Sequence, residues 1–514
     1  MLHLLHNLNF WSFYMGLLLA VFLLDLLVFA LAAKRARRLA AQGQTARAVR
    51  LLKWIVRLPS YRGEGAKIDV RYVLGVHLGK ERQFADAVMQ WQKILRFLYS
   101  YGWRNLHGLE ADVRIHLADC LEMLGQRDEA EPQRARAQES LDGKKPTMLS
   151  LSAQSDLLKI QGKHTGAYNA LEQGLRLINP RDRAWRVDFM TRLMLAAYSN
   201  GRPDLTVQWA EQTSEYKARY KAAGTVAIGC LRMAGYGYGE MGDWENAERC
   251  RQEAQAMAER EHDVNEQQAV RVLSAFLLHK RGLLSESINV CRELLASEPP
   301  AILWARAWAY TLLAECLCDM GRFDEALNAM YEVPSTHSPK LPSAVRRAWA
   351  VFSLHMAMIV SAAERPAEAL AFLREAASEL GRDERLGLWV SAVGACIHAQ
   401  SGQREQAEIQ TEAVLRALPR FAQDHAALLL AYSSLARAAY SLGDWARSQE
   451  LWTLYFAQEP YPNGLPMGWY YQGECALALG NEAGARAKFQ EAQTVNPEFY
   501  HARLARRRLD EITT

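Results

Sequence analysis

The chain has 514 residues, half of them hydrophobic and 23% charged, a length beyond what one compact core supports, so several domains or an extended array are expected. Helix formers such as Ala, Leu, Glu and Arg dominate and no long run of alternating Val, Ile and Thr occurs, which favours an all-α protein and excludes a sizeable sheet. The formal charge is only +4, and nine basic residues with no acidic one fall between positions 34 and 62, so the excess is local and excludes a chain-wide nucleic-acid footprint.

Residues 1–9 form a short amino-terminal stretch. Between Phe10 and Ala33, in "FWSFYMGLLLAVFLLDLLVFALAA", the single charge is Asp25, and residues 10–33 are long enough to cross a bilayer as a helix. Phe10, Trp11, Phe13 and Tyr14 suit an interfacial belt, and Lys34, Arg35, Arg37 and Arg38 follow directly. The positive-inside rule then puts the amino terminus outside and the rest in the cytoplasm. Two alternatives stay open: a cleaved signal peptide ending near Ala30-Leu31-Ala32, and a buried core helix. Asp25 costs about 2.5–3.5 kcal/mol at a helix centre, so it either meets another membrane helix or snorkels.

Residues 34–62 make a basic juxtamembrane segment and the first helical hairpin. Arg37, Arg38, Arg47, Arg50, Lys53, Trp54 and Arg57 are candidates for contact with anionic headgroups, the alternative being a solvated helix face. Residues 63–498 read as the repeat solenoid, and from the first hairpin onwards one step recurs, a glycine followed five residues later by a small residue: Gly43 to Ala48, Gly125 to Ala130, Gly162 to Ala167, Gly242 to Ala247, Gly321 to Ala326, Gly402 to Ala407, Gly443 to Ser448 and Gly480 to Ala485. Degenerate copies at Arg82, Gly201, Gly282 and Glu364 complete twelve turns spaced 37 to 43 residues apart.

Each unit has the punctuation of a helical hairpin. The glycine takes the left-handed conformation that ends helix A, and Asp243 or Asp444 just after it can cap helix B. An aromatic two places on (Phe84, Trp244, Phe323, Trp445) can wedge between the helices, and small residues such as Gly75, Ala118, Gly235, Ala275, Ala314, Ala436 and Gly473 let them approach. A proline (Pro299, Pro419, Pro460, Pro497) then stops helix B. "EVPSTHSPKLP" (332–342) and "DGKKPTM" (142–148) are candidate breaks or ordinary loops. Residues 499–514, with Arg503, Arg506, Arg507 and Arg508, read as the polar capping helix that an array needs at its end.

Turns such as "GDWENA", "GRFDEA" and "GDWARS" resemble the tetratricopeptide repeat (TPR) over roughly residues 39 to 500. The resemblance implies a right-handed α-solenoid of about twelve hairpins whose A helices line a concave groove for peptides or proteins. The period near 40, against 34 in that family, implies longer helices or loops. A single amino-terminal membrane helix before such an array also resembles the lipopolysaccharide assembly protein B type, but that family's paired C-x-x-C metal module has no counterpart here, since no cysteine follows Cys475.

No catalytic motif appears, and no cofactor is expected. Cys120, Cys230, Cys250, Cys291, Cys316, Cys318, Cys396 and Cys475 lie within apolar helical patterns and read as reduced core thiols. Cys316 and Cys318, one residue apart on a helix, point in different directions, so no metal site is expected there. Counting back from each turn gives candidate groove residues on the A helices: Tyr198, Arg232, Tyr236, His279, Thr311, Glu315, Arg437, Tyr440, Tyr470 and Glu474. Each can instead pack against a neighbouring helix. The expected function is a non-enzymatic, single-pass scaffold of a bacterial inner membrane that recruits a protein or peptide client, without nucleic acid. The alternative is a regulatory repeat protein that binds a peptide or small ligand and changes shape.

Overall fold

The computed structural model describes residues 27–29, 31–32, 34–36, 39, 44–58, 67–100, 107–219, 225–298, 301, 303–332 and 343–513. Most of the expected membrane span, with Asp25, and also Arg37, Arg38, Gly43 and nearly all of the 332–342 linker, lie outside them. Among the described residues there are helices and no strand, and no helix long and apolar enough to cross a membrane.

Helix α1 (Thr45–Arg57) closes the first hairpin. Eleven more hairpins follow: α2–α3 (Ile68–Lys80, Phe84–Ser100), α4–α5 (His107–Met123, Arg127–Leu141), α6–α7 (Met148–Ile160, His164–Leu177), α8–α9 (Arg183–Ser199, Pro203–Arg219), α10–α11 (Thr225–Glu240, Trp244–Arg260), α12–α13 (Val264–Lys280, Leu284–Leu295), α14–α15 (Leu303–Asp319, Phe323–Tyr331), α16–α17 (Ser343–Ala362, Pro366–Leu380), α18–α19 (Glu384–Gln400, Arg404–Ala417), α20–α21 (His425–Ser441, Trp445–Phe456) and α22–α23 (Leu465–Ala478, Glu482–Val495). The last helix is α24 (Tyr500–Thr513). Even-numbered helices are A helices and odd-numbered ones B helices. Each helix packs on the next in sequence, and successive A helices also touch, the arrangement of a stacked helical-repeat solenoid. The longer period goes into the helices, many of which reach 17 residues.

The turns follow the expected chemistry. The residue ending each described A helix is left-handed at Arg82, Gly125, Gly162, Gly201, Gly242, Gly282, Gly321, Glu364, Gly402, Gly443 and Gly480, with φ between 57° and 79°. Of the degenerate copies, Arg82 and Glu364 adopt the same backbone without the freedom of glycine, at a cost of about 1–2 kcal/mol each. Asp243, Asp444 and Asn481 cap B helices through their side chains. Close approach decides two further positions: a Cβ on Gly75 would lie 2.6 Å from the Trp91 ring, and one on Gly473 2.5 Å from the Phe489 ring. Both rings are buried to about 1% or less, so the missing side chain is what admits them.

The inner wall is tied together by a ladder that repeats the period. Tyr72 donates to Asp112 at 2.6 Å, Ser152 to the same carboxylate at 3.5 Å, and Arg192 to Ser152 at 2.5 Å and to Asp156 at 2.7 Å. These residues stand 36 to 40 apart, one hairpin.

A second, longer period closes the superhelix. His164 Nε2 lies 2.9 Å from Asp383 Oδ2, 219 residues on, and the Glu384 amide donates to the Gly162 carbonyl at 3.1 Å. Tyr461 donates to the carbonyl and carboxylate of Glu240, 221 residues earlier, at 3.0 and 2.6 Å. Asn496 donates to the Gly282 carbonyl and Arg503 to the Met320 carbonyl, at 2.9 and 2.7 Å. The A–B turns of one superhelical turn thus sit on the loops that precede the A helices of the next, between five and six hairpins later.

This stacking corrects two expectations. Trp445 does stay within its hairpin, edge-on to Tyr440 at 5.0 Å. Phe323, however, packs edge-on against Tyr500 at 5.4 Å, and Trp244 lies against the core of residues 388–461 and against a cluster of Ala247 with Leu273 and Leu277 of the next hairpin. The aromatic after the turn is needed where a second layer of helices must be covered. Nor is the last segment only a polar cap, because Phe499 and Ala502 belong to the core formed by Val272 to Ile397. At the other end Phe29, Ala32 and Ala36 are already buried with Leu52, Leu74 and Trp91, so packing begins inside the stretch expected to span a membrane.

Candidate functional site

The A helices of six hairpins and the last helix converge on a chamber of about 460 Å³. One side comes from the earlier superhelical turn: His279 and Lys280 on α12, Glu315, Cys318 and Asp319 on α14, and His355 on α16. Trp389, Val393 and Cys396 of α18 continue the wall. The facing side is built by Arg437 and Tyr440 on α20, Tyr470 and Tyr471 on α22, and His501 and Leu504 on α24.

The first side is a chain of mutually satisfied groups. His355 Nδ1 lies 2.8 Å and His279 Nδ1 3.6 Å from the Glu315 carboxylate, while His279 Nε2 lies 2.9 Å from Asp319. Burial pushes the Glu315 carboxyl up, but the bond and charge of His355, with His279 and Lys280 behind it, outweigh that and hold it at about 2. Burial leaves Asp319 raised despite its bond to His279. Lys280 lies 4.0 Å from the Tyr461 ring centre and 4.0 Å from Glu240, so its charge is spent on the joint between superhelical turns.

The second side is different. Arg437 lies deep in the molecule, and what surface it keeps is chamber wall. Burial works against its charge, but the nearby Cys396, Tyr471 and Cys318 side chains and a hydrogen bond donated to Tyr471 outweigh this and hold the guanidinium above the ordinary arginine value, with no carboxylate among those partners. Its Nε has no hydrogen-bond partner. Burial, with Arg437 nearby, holds His501 down at about 3, so that ring is neutral near pH 7. The Cys318 thiol is pushed far up by burial, which disfavours the thiolate a nucleophile needs. Cys316 turns the other way and donates to Ser287 at 3.3 Å. All eight cysteines are unpaired, and among the described residues no group of three or more metal-binding side chains is assembled.

Of the expected groove residues, His279, Glu315, Arg437, Tyr440 and Tyr470 meet in this chamber. Glu474 is buried beneath it, accepting from Tyr440 at 3.4 Å and from Arg508 at 2.7 and 2.8 Å. Tyr198 lines a separate recess between superhelical turns, beside His164 and Arg347. Tyr236 packs between Tyr198 and Phe276, and Arg232 pairs with Glu266 at 3.5 Å while facing the Trp304 ring. Thr311 donates to the Ala307 carbonyl of its own helix. These last three are structural contacts, outside the chamber. His355 stands 40 residues after Glu315, so the period points to it, but it lies nine residues before the turn at Glu364, off the offsets of three, six and ten that the other positions share. Nothing local marks His501, which reaches the site only through superhelical closure.

On the expected membrane-facing helix α1, Ala48, Val49, Leu52 and Ile55 are buried, while Arg47, Arg50, Trp54 and Arg57 are exposed, Trp54 to 59%. Lys53 instead pairs with Asp86 at 2.6 Å.

No protein-family model and no curated protein matches the chain. Among solved structures it is similar to a tetratricopeptide repeat protein of Parabacteroides merdae, with 15% identity, TM-score 0.35 and coverage of 56% of this chain and 99% of that one. It is similar also to a Rap protein in complex with competence and sporulation factor, with 12% identity, TM-score 0.46 and coverage of 70% and 99%. A third is the APC/C hetero-tetramer Cut9–Hcn1, with 11% identity, TM-score 0.44 and coverage of 90% and 86%. At these scores they add nothing to what the hairpins already establish, an all-helical repeat solenoid.

Proposed function

We propose that the chain is a non-enzymatic interaction scaffold that receives a peptide or protein segment of a client on its A-helix wall. The observation that carries this is the convergence of six A helices on one chamber. Tyr440, Tyr470 and Arg437 supply flat apolar area with hydrogen-bonding ends, the side-chain types that concentrate binding energy. Catalysis is disfavoured because the ionisable groups on the first side are spent on one another and the chamber thiol is held protonated. The test is a photo-crosslinking residue at Tyr470 in the full chain expressed in cells, beside one at the exposed Leu479. A discrete adduct at position 470 alone is expected. Equal labelling at both positions, or none, would remove the reading.

The membrane part of the proposal rests on the apolar run from Phe10, which would leave the bilayer before Phe29 joins the protein core. It rests also on the basic, tryptophan-bearing outer face of α1. The repeats would then be tethered at the cytoplasmic face, where tethering raises the effective concentration of the client. Deleting residues 1–27 should move the chain from the membrane to the soluble fraction, and a carboxy-terminal reporter that matures only in reducing surroundings should be lit. A dark reporter would place the repeats on the other side. The regulatory alternative is favoured by one feature: the chamber walls come from two successive superhelical turns, so an occupant links them.

A further inference from the structure

From Arg437 we infer that the chamber is an anion site and that its ligand is a small organic acid, a carboxylate on an apolar or aromatic body; this rests on the reading of the chamber as a binding site. A guanidinium taken out of water without a carboxylate is among the more expensive things a fold can hold. Three other arginines of low exposure have one: Arg134 pairs with Glu122 at 2.7 Å, Arg192 with Asp156 at 2.7 Å and Arg385 with Asp424 at 2.5 Å. Arg437 has a hydrogen bond to Tyr471 and two thiols nearby, no carboxylate among those partners, and, like Arg134, an Nε without a partner. Of the acids lining the chamber, Glu315 and Asp319 are already engaged by His279 and His355, and Glu364 is exposed. A carboxylate entering the space would complete the pair and satisfy Nε.

The rest of the lining sets the body of the ligand. Met358, Trp389, Val393 and Met467 offer apolar surface, and the volume of about 460 Å³ suits a compact molecule and falls short of a folded segment. Because Cys318 of the earlier superhelical turn and Arg437, Tyr471 and His501 of the later one border the same space, the acid would tie the two turns together. It would act as a stabilising effector of the superhelix, with no bond made or broken.

The experiment is thermal unfolding of the purified full chain with 3-phenylpropionate or its neutral amide at millimolar concentration, in the native sequence, Arg437→Met and Arg437→Lys. The acid should raise the midpoint by several degrees and the amide should not. Arg437→Met should lose the response. Arg437→Lys should keep it with affinity weakened about tenfold, about 1.4 kcal/mol. The proposal is overturned if the acid gives no shift, if acid and amide act alike, or if Arg437→Met keeps the response. A shift produced only by the peptide Gly-Gly-Phe with a free carboxyl end, and not by its amidated form or by phenylpropionate, would give Arg437 to the client peptide; it would refute the small acid and leave the scaffold reading standing. Response to the acid without cross-linking at Tyr470 would do the reverse.

Discussion

The turns at Gly162 and Gly402 are the same device in sequence, a glycine ending helix A with φ of 75° and 71°. They differ in what lies beyond. Gly402 faces open space, whereas a Cβ on Gly162 would lie 2.7 Å from the Asp383 Cα of the next superhelical turn. Gly201 and Gly321 are filled in the same way, by the Asp424 carboxylate and the Tyr500 ring. One glycine serves a hairpin, the other serves a hairpin and a joint. A repeat array is often treated as a sum of nearest neighbours. Here the hairpins from α6 to α15 also answer to partners about two hundred residues away, which predicts a stability that is cooperative across turns.

Removing carboxylates that cap helices separates the two roles most widely. Asp424 caps α20 by accepting from the Ala427 amide at 3.1 Å, but it also holds Arg385 with bonds of 2.5 and 3.0 Å against Gly201. Asp444 caps α21 and is exposed. Asp424→Ala should cost about 3–5 kcal/mol because it strands a buried guanidinium. Asp444→Ala should cost about 1 kcal/mol. Thermal unfolding and proteolysis of the 381–424 region would show it, and equal losses would mean the superhelical joint carries no energy.

Next in size is the glycine pair itself. Gly402→Ala should cost about 1 kcal/mol, the strain of a side chain in the left-handed region. Gly162→Ala adds a collision with backbone that cannot swing aside, for a total of about 2–4 kcal/mol. Small-angle scattering should show the Gly162→Ala superhelix longer than the native one and Gly402→Ala unchanged.

The same joint should weaken in mild acid. His164 is buried beside Asp383, yet burial first, and then the charge of Arg347, hold its pKa down at about 4. Arg347 already bonds Asp383, so the carboxylate is neutralised and the ring sees a crowded positive site. With an unfolded value near 6.5, the unfolded chain binds the extra proton between those limits. The stabilisation is therefore complete above about pH 6.5 and lost as pH falls towards 4, on the order of 2–3 kcal/mol. His164→Gln should flatten this window while leaving the response of regions away from the joint intact. Lys159, Glu384 and Arg385 also face the ring.

What the sequence makes legible follows from range. Left-handed glycines, aspartate caps and close-packed Gly75 and Gly473 are decided within a hairpin, and the 3.6 and near-forty periods expose them. Five chamber residues emerge from the same count because the inner wall repeats with the hairpin. The joint between superhelical turns does not, for it depends on a rotation per hairpin that accumulates over five or six units and leaves no mark on any one of them. Thr311, Arg232 and Tyr236 lie outside the chamber for the same reason: a position faces it only where two superhelical turns enclose it. Trp244 and Phe323 are the nearest thing to a visible sign, being larger than a hairpin turn needs.

The smallest effect has the opposite sign. Arg82 holds the left-handed turn between α2 and α3 with φ of 57°, a conformation the other turns mostly give to glycine. Its side chain is exposed, and its amide donates to the Gly79 carbonyl, a bond any residue keeps. Arg82→Gly removes about 1–2 kcal/mol of strain in the folded chain and returns roughly 0.5–1 kcal/mol through the freer unfolded one. A net gain of about 0.5–1 kcal/mol is expected in thermal unfolding of the amino-terminal hairpins. Since this turn serves one hairpin only, the gain should stay local, protecting amides of α2 and α3 from exchange and leaving those of α7 and α18 unmoved. Protection that spread to the joint at His164 would show that even the outermost hairpin is coupled to the closed part of the superhelix.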